Sequence, residues 1–85
     1  MKQIQHRIAD EQGLHARPAG QLVQAAAKFT CDIRMEAGGR QVDAKRVLGV
    51  MQLGAAKGTL LTLTFDGPDE AEAAEALQTF LSQAL

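Results

Sequence analysis

The chain has 85 residues, 46% of them apolar, with 9 basic against 10 acidic side chains. That length supports one small domain over residues 1–85, and the balanced charge gives no drive toward nucleic acid or an anionic membrane. Missing Trp and Tyr argue against base stacking, lone Cys31 excludes an internal disulfide framework, and no apolar run is long enough to insert in a bilayer. The opening MKQIQHRIADEQ carries no apolar signal core, so the expected location is cytoplasmic, in reducing surroundings.

Residues 2–9 alternate: Ile4, His6 and Ile8 share one face and Gln3, Gln5 and Arg7 the other, the pattern of a half-buried strand. Residues 10–14 read as loop. Over 16–28, Ala19, Leu22, Val23, Ala26 and Ala27 recur at helical spacing. Alternation returns over 31–36, with Cys31, Ile33 and Met35 inward and Asp32, Arg34 and Glu36 outward. Gly38-Gly39 signals a two-residue hairpin into a short strand at 40–43. Residues 46–53 predict a short helix, 54–58 a glycine-bearing loop, and 59–66 a strand with Leu61, Leu63 and Phe65 on one face. After the Gly67-Pro68 break, Asp69 is expected to cap a final helix, with Glu72 completing a capping box. Leu77, Phe80, Leu81 and Ala84 give that helix its buried stripe. The order β-α-β-β-α-β-α, with a polar face on every long strand, predicts an α+β open-faced β-sandwich. Strand order does not follow from the pattern.

The stretch Gly13-Leu14-His15-Ala16-Arg17-Pro18-Ala19 concentrates chemistry at the start of the first helix. A helix start leaves N–H groups unpaired and carries partial positive charge, so it receives anions. A neutral imidazole attacks phosphorus, and the reference pKa of histidine leaves a useful neutral fraction near pH 7. The His15 ring can thus take a phosphoryl group, with its charge received by the N–H groups around Ala16 and by the fixed donors of Arg17. Pro18 fixes φ and lacks an N–H that would be unpaired there. Gly13 permits a sharp entry.

Blander readings compete. Most histidines pack or face solvent, and most helix arginines are solvated; the glycine, arginine and proline around His15 disfavour that reading here. His6, on the apolar face of the first strand, is expected only to pack. The two histidines have no metal-ligand spacing, no cofactor motif is present, and nothing marks Ser82 as a nucleophile. Between 46 and 53, Val50 and Leu53 suffice for the core. That leaves Val47, Leu48 and Met51 as an exposed apolar patch, rimmed by Lys45, Arg46 and Lys28, against the alternative that all five are buried. Such a rim would steer acidic partners.

At these residues the chain resembles the HPr family, the histidine-containing phosphocarriers of the bacterial phosphoenolpyruvate-dependent sugar phosphotransferase system. The resemblance runs the whole length. It rests on the His15 motif, on Ala44-Lys45-Arg46-Val47-Leu48-Gly49-Val50-Met51-Gln52-Leu53-Gly54, and on Lys57-Gly58. It implies a four-stranded antiparallel sheet with three helices on one face. It further implies that enzyme I phosphorylates His15 at Nδ1 and that the group passes to a histidine of an enzyme IIA domain. By the same resemblance, Arg17 stabilises the phosphoryl group, and Ala16, Gly20, Val47, Leu48 and Met51 belong to the docking surface for both partners. Such carriers are expected to be monomers. Many family members have a serine where Arg46 stands, and in part of the family a kinase phosphorylates it, making the carrier a regulator. Arg46 has no hydroxyl, and a cation at a helix start opposes the dipole.

The leading expectation is a phosphocarrier of sugar uptake, not an enzyme in the ordinary sense, because it is consumed and regenerated as a covalent intermediate. A phosphocarrier of the nitrogen-related branch, serving regulatory proteins, is the alternative. A binding regulator that never carries phosphate is disfavoured by the intact His15–Arg17 pair. A hydrolase using His15 as general base lacks a supporting carboxylate cluster and a deep pocket.

Overall fold

The computed structural model describes residues 1–85. The alternating segments become β1 (Lys2–Arg7), β2 (Asp32–Ala37), β3 (Arg40–Asp43) and β4 (Leu60–Asp66), all antiparallel, in the spatial order β1-β4-β2-β3. The helical segments become α1 (Ala16–Ala27), α2 (Val47–Gln52) and α3 (Glu70–Ala84). The last strand in the chain therefore lies inside the sheet, between the first and the second.

Register turns alternation into two faces. One row across the sheet runs Ile4–Leu63–Met35–Val42, and the next runs Gln5–Thr62–Glu36–Gln41. The first row faces the helices and the second faces water, because successive strand side chains point to opposite sides. Leu61, Leu63 and Phe65 of β4 are fully buried, as are Ile33 and Met35 of β2. Against them pack Ala19, Leu22 and Ala26 of α1, Val50 of α2, and Ala73, Leu77 and Leu81 of α3. The β2–β3 connection places Gly38 at φ +58° and Gly39 at φ +80°, both positive, as the tight hairpin turn requires.

The start of α3 departs from the expected capping box. Asp69 occupies the N-cap position but makes no side-chain cap bond. Its carboxylate instead accepts the N–H groups of Thr30 (2.8 Å) and Cys31 (2.9 Å), just before β2. The Gly67 N–H donates to Glu70 Oε1 at 3.0 Å, so it is Glu70, and not Glu72, that reaches back over the helix entry. A local signature was overridden by two backbone donors brought from 38 and 39 residues away.

Candidate functional site

His15 is the N-cap residue of α1, with extended backbone (φ −93°, ψ −176°). Its carbonyl accepts the first helical N–H, from Ala19, at 3.0 Å. Its imidazole makes no capping bond, so the ring is not engaged by its own helix. Ala16 and Arg17 supply the N–H groups of the first turn, which have no carbonyl to bond within the helix; Pro18, next in line, is buried and has none to offer. No acidic residue lies in that turn to meet the helix dipole.

The entry to His15 is fixed by a segment distant in the chain. Gly13 adopts φ +67°, and a Cβ there would lie 2.5 Å from the Ala55 carbonyl oxygen and 2.8 Å from Ala56 Cα. The next residue, Leu14, donates its N–H to that same Ala55 oxygen at 2.8 Å. Glycine is needed at 13 for both conformation and clearance. Further bonds tie the loop after α2 to the end of β1: Ile8 N–H to Thr59 O at 3.0 Å, Gly58 N–H to Ile8 O at 2.8 Å, and Arg7 Nη1 to Gly58 O at 2.8 Å. Lys57 pairs with Glu11 at 2.9 Å.

His15, Arg17 and Pro18 line one shallow depression together with Asp10, Gln21 and Ala84. The His15 side of the motif is thus gathered in space. Asp10 and Ala55 were not among the residues the sequence singled out. Nothing in the local pattern marks Asp10, and Ala55 acts through its main chain. Gly20 lies further along α1, and beyond its chain neighbours and its own helix backbone nothing comes within 4 Å of where a Cβ would project.

Val47, Leu48 and Met51 are all exposed on α2, at 40%, 72% and 40%, whereas Val50 beside them is fully buried. An exposed apolar patch is therefore present, and the all-buried alternative fails. Arg46 is the N-cap residue of α2, again with no side-chain cap bond. Its guanidinium stands 3.8 Å from the Asp43 carboxylate, with 81% of its side chain exposed. That carboxylate also accepts the Lys45 N–H at 2.9 Å, so Asp43 supplies the negative charge that a cationic N-cap lacks. The expected basic rim needs one correction: Lys45 Nζ donates to the Phe29 carbonyl at 2.7 Å, beyond the end of α1, and is half-buried there. Arg46 and Lys28 remain exposed.

The other candidates stay apart. His6 faces inward from edge strand β1, opposite Leu61, with its Nε2 buried and unpartnered. The Ser82 hydroxyl donates to the Gln78 carbonyl at 2.7 Å, within its own helix. Cys31 is buried; burial first, then the hydrogen bond and charge of Asp69, push its thiol up to about 11. No group of three or more metal-ligating side chains gathers, and no helix is long and apolar enough to cross a membrane.

Residues 2–83 match the family model described as the PTS HPr component phosphorylation site. The chain is 45% identical over 82 residues to the phosphocarrier protein HPr of Cupriavidus necator, covering 96% of this chain and 92% of that one. HPr-C-His from Thermoanaerobacter tengcongensis superposes with TM-score 0.93 at 40% identity, covering 98% of this chain and 93% of the other. The histidine-containing phosphocarrier protein of a mycoplasma does so with TM-score 0.94 at 33% identity, covering 96% and 93%. A second Thermoanaerobacter tengcongensis structure, described as an HPr dimer, gives 0.78 at 40% identity over 98% and 95%. With its sheet order, its helix start at His15 and these likenesses, the chain belongs to the HPr family of phosphotransferase-system phosphocarriers.

Proposed function

We propose that this protein relays phosphoryl groups in phosphoenolpyruvate-dependent sugar uptake, taking them from phospho-enzyme I on His15 and giving them to enzyme IIA domains. The observation that carries this reading is the His15 ring at a helix start, uncommitted to capping and sharing a depression with Arg17. In each transfer one N–P bond breaks and another forms. The neutral Nδ1 of His15 attacks phosphorus as the donor histidine leaves, and the reverse happens on the acceptor. Arg17 and the N–H groups of the first turn receive the charge of the bound phosphoryl group, which adds about two negative charges. Arg17 then faces the acceptor together with the α2 patch. No net chemistry remains on the carrier after a cycle, so it acts as a covalent intermediate and not as an enzyme. The protein works as a monomer, with small, rapidly exchanging interfaces suited to serving several partners.

The test is intact-mass spectrometry near neutral pH after incubation with enzyme I, magnesium and phosphoenolpyruvate. One added phosphoryl group, lost on brief acid treatment and absent from His15→Ala, is expected. Retained labelling in His15→Ala would move the site elsewhere. Arg17→Ala should slow transfer while leaving unfolding nearly unchanged, because an exposed arginine contributes little to folding. Presenting the labelled carrier to sugar-type and nitrogen-type IIA domains separates the two branches: transfer to the nitrogen-type domain alone would replace the sugar assignment.

A further inference from the structure

The depression around His15 and Arg17 contains a carboxylate. Asp10 lines it, and the loop holds Asp10 there by its main chain and by its side chain. The Asp10 N–H donates to the Leu85 main-chain oxygen at 3.0 Å, and the Asp10 carbonyl accepts the Gly13 N–H at 3.0 Å. One carboxylate oxygen, Oδ1, accepts the Gln12 N–H at 2.8 Å. The neighbouring Glu11 is neutralised by Lys57 at 2.9 Å, but Asp10 forms no ion pair. Among the residues lining the depression, Asp10 supplies the one carboxylate side chain and Arg17 the one guanidinium.

We propose that Asp10 tunes the phosphoryl-transfer potential of His15, as a resident anion that makes the phosphorylated state less favourable and its departure easier. This inference rests on the carrier reading of His15. The N–P bond made to His15 and the one broken on the donor are the same in kind, so the transfer balance is set by the surroundings of each phosphoryl group. Here a group bearing about two negative charges enters the depression that Asp10 also lines, where two main-chain bonds fix the residue and one, from the Gln12 N–H, holds its carboxylate. Repulsion between them acts only in the phosphorylated state. Arg17 makes no ion pair with Asp10, so the Asp10 charge stays uncompensated when the phosphoryl group arrives. The carrier therefore loads less completely and unloads onto a downstream histidine more readily than it would without Asp10.

The experiment is an equilibrium measurement with enzyme I at varied ratios of pyruvate to phosphoenolpyruvate, reading the phosphorylated fraction by intact mass. Asp10→Asn keeps the acceptor for the Gln12 N–H and removes only the charge. It should shift the ratio at half-loading about three- to tenfold toward the phosphorylated form, less so at high salt. Asp10→Glu, which keeps the charge, should stay close to the wild type. A shift below about twofold in Asp10→Asn, no salt dependence, or equal shifts in both variants would overturn the proposal. Failure of the wild type to load at all would instead refute the carrier reading, and this inference with it.

Discussion

Gly13 shows how little room the His15 loop has. A Cβ would meet the Ala55 oxygen at 2.5 Å, and φ is +67°, so an alanine is strained by both contact and conformation. Gly38, at φ +58°, has nothing within 4 Å of a Cβ and offers the conformational penalty alone. Gly13→Ala should therefore destabilise the fold by about 2–4 kcal/mol and Gly38→Ala by about 1 kcal/mol, measured by denaturant unfolding. Equal losses would mean that the Ala55 contact yields without cost. The turn itself is legible in the sequence, since a glycine before a helix start implies an unusual backbone. The reason for it is not, because the atoms it must clear lie 42 and 43 residues away, in a loop that reads only as loop.

At the scale of elements, helix ends reveal what local sequence leaves open. Neither α1 nor α2 has a basic residue in its last turn, although cations are favoured there. The fold brings them from elsewhere: Lys45 Nζ to the Phe29 carbonyl beyond α1, and Arg40 Nη1 to the Gln52 carbonyl of α2 at 3.2 Å. Asp69 acts in the same long-range manner on the residues directly after Phe29, joining the start of α3 to the start of β2. The Thr30 N–H is the main cause holding the Asp69 carboxyl below its ordinary range. A carboxyl with a lowered folded pKa stabilises the fold above its unfolded value, near pH 4, and that contribution disappears as pH falls through the lowered value. Asp69→Asn should thus lower the melting temperature at pH 7 and narrow the difference from the wild type as pH falls below about 4, followed by thermal unfolding across pH. A pH-independent difference would assign Asp69 a packing role only. The capping-box expectation failed because a carboxylate at a helix start was claimed by two amides at the entry to β2, donors no local motif displays.

At the scale of the whole molecule, the helices cover one face of the sheet and leave a mixed polar face on the other, with Thr62 flanked by Gln5 and Glu36 and Thr64 by Gln3 and Arg34. Large apolar side chains are nonetheless exposed together on α2, where Leu48 is 72% exposed. Leu48→Ala should change unfolding free energy by less than about 0.5 kcal/mol, because so little of the side chain is buried. If the patch is the docking surface, the same change should weaken binding to enzyme I at least about fivefold in a titration followed by calorimetry. Undiminished binding would remove Leu48 from the interface.

The sequence by itself determined the element order, the inward face of the three longer strands, the Gly38-Gly39 hairpin and the His15 motif. Each is a local periodicity or a local backbone demand, carried by residues close in the chain. Tertiary structure alone decided that β4 lies between β1 and β2, that Asp69 serves Thr30 and Cys31, that Lys45 turns to Phe29, and that Asp10 shares a depression with His15 and Arg17. Those depend on pairing between distant segments, where many arrangements satisfy the same alternation and only burial of the common apolar face selects one.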